Sequence, residues 1–262
     1  AVQFRNRRLE RLGPELAERI CSGGYPAALS RSTPRRRKAW YRDYIETLVQ
    51  RDVRDLSRIS ALSSLPRLLQ LAAGQTARLT NVAEMASAFQ LSRPTIRDYV
   101  ALLERIFLLE HLPPWHSNRL SRLIKTPKLH IGDTGLATAL LGVDAVAIIK
   151  DRVIFGQLLE TFVFQELKRQ ASWNETPIQF HHFRDKDGVE VDIVLEQAGK
   201  VTGIEVKAAA TVKEKDFRGL KKLRETTGER FAAGVVMYDG ENIVGFGENL
   251  YAIPIRALWE TN

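Results

Sequence analysis

The stretch from His181 to Lys207, HHFRDKDGVEVDIVLEQAGKVTGIEVK, concentrates the residues best placed to do chemistry. Val189, Val191, Ile193 and Leu195 alternate with Glu190, Asp192, Val194 and Glu196, the period of two that marks a strand. Gln197-Ala-Gly-Lys200 reads as a turn, and the alternation resumes from Val201 to Lys207. A tight turn centred on Ala198-Gly199 puts Asp192 directly opposite Glu205, with Lys207 on the diagonal. Opposed side chains have Cβ atoms about 5 Å apart and diagonal ones about 7–8 Å, so two carboxylates and an ammonium converge on one small volume. Carboxylates that close repel unless a positive charge lies between them, and a hard cation such as Mg²⁺ takes carboxylate and water ligands. A lysine beside the metal can orient or deprotonate a water, or stabilise a phosphorane-like charge, as in metal-assisted phosphodiester hydrolysis. The same spacing equally serves an ordinary cross-strand ion pair, in which Lys207 neutralises both acids.

The elements around this hairpin follow from periodicity. A helix over about 153–170 buries Phe155, Leu158, Leu159, Phe162 and Val163. At 100° per residue Glu160 falls on the flank of that stripe, able to reach a site beside the sheet, while Glu166 falls within it. A helix over about 214–226 carries Lys215, Arg218, Lys221, Lys222 and Arg224, and a strand runs from Phe231 to Tyr238. The resulting order is α-β-β-β-α-β.

Glu190-Val-Asp192, then Glu205-Val-Lys207, preceded by Phe155-Gly-Gln-Leu-Leu-Glu160, resembles the PD-(D/E)XK nuclease-like fold. More narrowly, the chain resembles the C-terminal region of a prokaryotic family of AAA-type ATPases, a domain of unknown function predicted to be nuclease-like. That resemblance extends upstream through Gly23-Gly24-Tyr25-Pro26 and Tyr44-Ile-Glu-Thr-Leu-Val-Gln-Arg-Asp52-Val-Arg-Asp55, so it covers most of the chain. One departure is Val191, not proline, before Asp192. The resemblance implies Mg²⁺ or Mn²⁺ held by Asp192, Glu205 and the carbonyl of Val206, with Glu160 positioning the metal or its waters and Lys207 assisting the nucleophile. No GxxxxGK[ST] phosphate loop occurs in these residues. ATP is therefore expected only through a module outside this chain, which reads as the C-terminal piece of a longer protein or a divergent member.

Upstream, residues 64–125 hold three helical segments in the order of a winged helix. Leu65, Leu68, Leu69 and Ala72 mark the first; Asn81 with Glu84 makes a capping box for the second; Ser92 caps the third, with Pro94 in its first turn. In a helix-turn-helix the third helix reads DNA, which nominates Arg93, Thr95 and Arg97 there. Phe107-Leu-Leu-Glu-His-Leu would begin a wing whose Arg119, Arg122, Lys125 and Lys128 meet phosphates. Such a domain serves equally well as packing scaffold. Before it, Pro34 opens a helix with Arg35-Arg36-Arg37-Lys38 in its first turns, where cations oppose the helix dipole. After it, Gly132-Asp133-Thr134-Gly135 resembles an aspartic-protease loop by eye, but Asp133 reads as the cap of a helix over Leu136–Leu141.

Composition bounds the rest. With 262 residues, 44% hydrophobic and 27% charged, the chain can bury a real core. One cysteine, Cys21, excludes internal disulfides and cysteine-cluster zinc, and the five histidines lack zinc spacing. No run approaches the roughly 20 apolar residues of a membrane span, and the N-terminal residues lack a signal-peptide core, so a cytoplasmic location is expected. The net charge of +8 is uneven: 14 basic against 7 acidic residues over 1–58, 10 against 6 over 59–150, and 15 against 18 over 151–262. A polyanion held by the basic first half and presented to an acidic, metal-binding second half is the arrangement this suggests.

The fold expected is α/β overall (α+β): an N-terminal helical segment over 1–60, a winged helix-turn-helix over 61–128, a connector over 129–152 and a PD-(D/E)XK restriction-endonuclease-like domain over 153–262. The expected partners are nucleic acid, taken as DNA, and an ATPase module, with no membrane and with self-association allowed. The expected activity is that of a Mg²⁺- or Mn²⁺-dependent nuclease. The alternatives are an inactive nuclease-fold module for binding and assembly, and a winged-helix transcription regulator.

Overall fold

Side-chain caps set several helix starts in the first of two units into which the chain divides, Ala17–His111 with Lys128–Phe162. The computed structural model describes residues 8–48, 51, 64–118 and 126–260. In chain order the elements are α1 (Pro14–Ser22), α2 (Pro26–Leu29), α3 (Pro34–Leu48), α4 (Leu65–Gly74), β1 (Arg78–Leu79), α5 (Val82–Phe89), α6 (Arg93–Arg105), β2 (Leu109–Leu112), β3 (Lys128–Ile131), α7 (Thr134–Leu141), α8 (Ala145–Lys150) and α9 (Arg152–Ala171). Asn81 accepts from the Glu84 N–H at 3.1 Å and starts α5; Ser92 accepts from the Thr95 N–H at 3.2 Å and starts α6. The small sheet has the order β1-β3-β2, with β1 and β3 antiparallel. Helix, strand, two helices and two strands follow one another in that sheet order, and the last strand, β3, comes mostly from the stretch that the sequence assigned to a connector over 129–152. Its core is the apolar stripe of the three helices, Leu65, Leu68, Leu69, Met85, Ile96 and Leu103, all buried.

The Gly23-Gly24-Tyr25-Pro26 stretch and Asp133 lock together in this unit. Gly23 has φ +69°, and a Cβ there would lie 2.2 Å from both Asp133 Oδ1 and the Tyr41 hydroxyl. Only glycine fits a position that is both left-handed and this crowded. The Gly24 N–H donates to Asp133 Oδ2 at 2.6 Å, while Asp133 Oδ1 accepts from the Leu136 N–H at 3.0 Å. Asp133 thus caps α7, as its sequence context indicates, and anchors the glycine turn as well.

The second unit comprises the described residues as far as Leu16, Leu112–Pro127 and Val163 onward. The last part of α9 leads into β4 (Gln179–Arg184), β5 (Glu190–Gln197) and β6 (Lys200–Lys207), then a 3₁₀ turn (Glu214–Phe217), α10 (Arg218–Thr227), β7 (Phe231–Tyr238), β8 (Val244–Gly245) and β9 (Leu250–Pro254). The sheet order is β4-β5-β6-β7-β9-β8. β4–β5–β6 is an antiparallel meander, whereas β6–β7 and β7–β9 are parallel. A parallel pair needs a crossover, and α10 supplies it between β6 and β7. Val191, Val194, Val201, Phe217, Leu220, Leu223 and Val236 form the core beneath that helix. Trp115, from the segment expected to be a wing, is buried in the same cluster, and its main-chain N–H donates to the His182 carbonyl at 2.6 Å. Where the sequence suggested segments meeting near 128 and 152, the two units interleave along the chain.

Candidate active site

The β5–β6 hairpin turns on Ala198 and Gly199, with φ of 48° and 80°, the left-handed pair of a type I′ turn. That turn fixes the register from Gln197↔Lys200 to Ile193↔Ile204, as the sequence pattern requires. The pairing then stops one residue short of an Asp192↔Glu205 pair. The cause lies on the other edge of β5. His181 pairs with Val194 and Phe183 with Val191, so three residues of β5 span two of β4. A bulge of this kind bends the strand and re-aims the side chain at the extra position. Asp192 is in that bulge. Its Oδ2 accepts the Val206 N–H at 2.9 Å, where a straight ladder would supply a main-chain carbonyl. The simple cross-strand opposition expected of Asp192 and Glu205 is therefore replaced by a carboxylate inserted between two diverging strands.

On the other side of β6 nothing diverges. Glu205, Val206 and Lys207 pair in sequence with Val236, Met237 and Tyr238 of β7, so this end of β6 is held rigidly. Glu205 Oε1 accepts from Lys207 Nζ at 2.7 Å, with the two side chains 14% and 34% exposed. Burial works against the Lys207 charge, but Glu205, then Asp192, the hydrogen bond to Glu205 and Asp216 outweigh it, and the pKa rises above that of an ordinary lysine. Lys207 is thus an ammonium here, suited to stabilising negative charge and not to taking a proton.

Asp192, Glu205, Val206 and Lys207 accordingly meet at one end of the hairpin. Because the N–H and C=O of a strand residue point to the same neighbour, the Val206 carbonyl faces the Asp192 side. Two carboxylates and a carbonyl are hard oxygen donors of the kind that Mg²⁺ or Mn²⁺ takes together with several waters. No group of three or more His, Cys, Asp or Glu able to hold a metal occurs among the described residues, so a cation here would rest on these donors and water.

A cleft of about 370 Å³ opens beside Glu205 and Lys207, bordered by the Asp187–Glu190 turn and by Lys215, Asp216 and Arg218. Its shape depends on Gly219, where a Cβ would lie 1.9 Å from the Glu190 carbonyl oxygen. The start of α10 can approach β5 only because that side chain is missing.

Other nominated residues fall elsewhere. Glu160 belongs to the first unit, and its Oε1 is 2.7 Å from Lys128 Nζ. The same stretch of α9 carries Thr161, whose hydroxyl bonds Thr76 at 2.8 Å and His130 at 3.0 Å. Lys128, nominated as a wing cation, is 3% exposed and neutralised by Glu160, so it is a core lysine and offers nothing to a phosphate. Arg119, Arg122 and Lys125 lie outside the described residues. Arg93 and Arg97 are exposed on α6, whereas the Thr95 hydroxyl is 2.7 Å from Ser92 Oγ and belongs to the cap. Glu166, out of place on an apolar stripe, accepts from Trp259 Nε1 at 3.1 Å and pairs with Arg169. Burial pushes the Cys21 thiol up to about 11, which keeps it protonated.

Residues 155–258, which hold the hairpin and its cleft, match the model described as domain of unknown function DUF4143, a domain found in C-terminal regions associated with AAA-type ATPases. Two curated proteins are similar over nearly the whole chain: uncharacterized protein Mb2031c of Mycobacterium bovis and uncharacterized protein Rv2008c of Mycobacterium tuberculosis. Each is 25% identical over 252 residues, covering 95% of this chain and 55% of the relative. The chain therefore spans about half the length of the curated relatives it matches. Upstream, residues 13–147, just over half of the sequence, match the model described as domain of unknown function DUF8612, and the chain belongs to that family.

Proposed function

We propose that this chain is the nucleic-acid-handling part of an AAA-type ATPase system, binding DNA through its winged helix and hydrolysing phosphodiesters at the Asp192–Glu205–Lys207 site. The observation that carries this reading is the bulge that turns the Asp192 carboxylate onto Val206, beside the Glu205–Lys207 pair. The bulge sets the Asp192 carboxylate close enough to act electrostatically on Lys207, which borders the cleft together with Glu205. Bound Mg²⁺ or Mn²⁺ would polarise the phosphoryl oxygens and lower the pKa of a water. Asp192, Glu205 and the Val206 carbonyl would hold it. Lys207, as an ammonium, would stabilise the charge that develops on the phosphate oxygens. Exposed Arg93 and Arg97 at the start of α6 would contact the duplex. The ATPase module that this domain type accompanies would be the partner.

A second reading has an observation in its favour. The Lys207–Glu205 bond satisfies the pair internally, as a binding module that had lost its chemistry would. Calorimetric titration with Mn²⁺ discriminates: the nuclease reading expects binding that disappears in Asp192→Asn. Heats equal in the two proteins would sink it.

A further inference from the structure

We propose that the cleft beside Glu205 and Lys207 is a groove for one strand of nucleic acid, with Lys215 and Arg218 as the residues that hold its phosphates. This rests on the phosphodiester reading above. The observation is an asymmetry among the cations of the 3₁₀ turn and α10. Lys221 pairs with Glu214, Lys222 with Glu225 at 3.4 Å, and Arg224 with Glu248 at 2.8 Å. Lys215 and Arg218 both border the cleft and are exposed, and neither side chain has an ion pair or hydrogen bond among the described residues. Residues 151–262 carry more acids than bases, 18 against 15, so acids to neutralise these two are not scarce. Their charge is kept available at one place.

The placement suits a phosphate chain. Residues three apart on a helix lie on one side, with Cβ atoms about 5–6 Å apart. Arg218 can grip two oxygens of a phosphate through its planar fork, and Lys215 adds a mobile point charge. Gly219 presses this end of α10 against the β5 main chain, so the cations are fixed relative to the strand that carries the acids. Glu190 and Glu205 line the strand side of the cleft, and Lys215 and Arg218 flank Asp216 on the helix side, two cations to one acid. A strand held on the helix side presents a neighbouring phosphate to Glu205 and Lys207.

The test uses the full chain, a labelled single-stranded oligonucleotide and fluorescence anisotropy in EDTA across a salt series. The wild type is compared with a Lys215→Ala/Arg218→Ala variant and with Lys221→Ala/Lys222→Ala, which removes the same charge from paired positions. The proposal expects the first variant to lose affinity about tenfold at low salt and the slope of log affinity against log salt to shrink by about 1.4, two phosphates at ~0.7 each for a single strand. The control variant keeps the wild-type slope. Equal slopes in all three proteins, an equal loss in both variants, or no measurable binding by the wild type would overturn the groove. Cleavage with Mn²⁺ on the same proteins separates the two ideas. A slope lost at Lys215 and Arg218 with no cleavage by any protein leaves the groove standing and removes the nuclease. Wild-type cleavage with unchanged slopes does the reverse.

Discussion

The Asp192 carboxylate accepts the main-chain N–H of Val206 at 2.9 Å, a ladder bond made by a side chain. A strand edge closed in this way is held open by one residue. The bond keeps β5 from zipping onto β6 beyond Ile193↔Ile204, and the Glu205 carboxylate is left bordering a cleft. The same acid is asked to shape the site and to work in it, so its charge and its hydrogen bond must be separated by mutation.

Glu160 and Lys128 form a buried pair, with side chains 12% and 4% exposed. Removing one partner strands the other charge, which costs about 3–5 kcal/mol at buried sites. Glu160→Gln is expected to lower the melting temperature strongly, and any loss of cleavage should follow the loss of fold. A Glu160→Gln protein with wild-type denaturant stability and no cleavage would instead make Glu160 catalytic.

Lys207 has a pKa raised above its unfolded value, by Glu205 and Asp192 acting against burial. Its charge therefore stabilises the fold fully below the unfolded lysine value of about 10.4, and that contribution is lost as pH rises through the folded pKa. In Glu205→Gln, burial acts with less opposition and the pKa must fall. Lysine Nζ titration by NMR reads this directly; an unchanged or higher Lys207 pKa in the variant would contradict the electrostatics described.

Gly219→Ala introduces a Cβ against the Glu190 carbonyl oxygen. Main chain cannot yield as a flexible side chain does, so the cost should reach or exceed the roughly 1–3 kcal/mol of an overpacked core. Chemical denaturation should show the loss, and cleft-dependent binding should weaken with it. A neutral Gly219→Ala would mean that α10 has room to move off β5.

Arg93→Ala and Arg97→Ala remove exposed charges and should leave stability within about 0.5 kcal/mol of wild type. Each is expected to weaken duplex binding by about 1–3 kcal/mol if it reaches a base edge. Ser92→Ala gives the contrasting pattern, since it removes the cap at a cost of about 1 kcal/mol. Electrophoretic mobility shift and thermal denaturation on the three proteins distinguish reading from scaffolding.

Much of this architecture is local in origin and was legible for that reason. Period-two alternation and the Ala198-Gly199 turn carry the hairpin register; Asn81, Ser92 and Asp133 carry their helix starts. What escaped depends on partners distant in sequence. The bulge at Asp192 exists only through pairing with His181 and Phe183, which alternation within β5 cannot reveal. Lys128 looks like a surface cation until α9 brings Glu160 to it from 32 residues away. Glu196 looks like a solvated strand position, yet it is 7% exposed and binds Trp115 Nε1 at 3.0 Å and Arg230 at 2.8 Å. Trp115 itself lies in a segment read as a wing. Its size was the available signal, because a tryptophan buries area wherever a core can take it.

The most direct measurement is cleavage of plasmid and oligonucleotide DNA in Mg²⁺ or Mn²⁺ by wild type, Asp192→Asn and Lys207→Ala. Asp192→Asn keeps an oxygen to accept the Val206 N–H while removing the charge, so its fold should survive. Metal-dependent nicking is expected from the wild type and should be lost in both variants while their melting curves stay close to wild type. Equal cleavage by all three proteins, or none by the wild type, would contradict it.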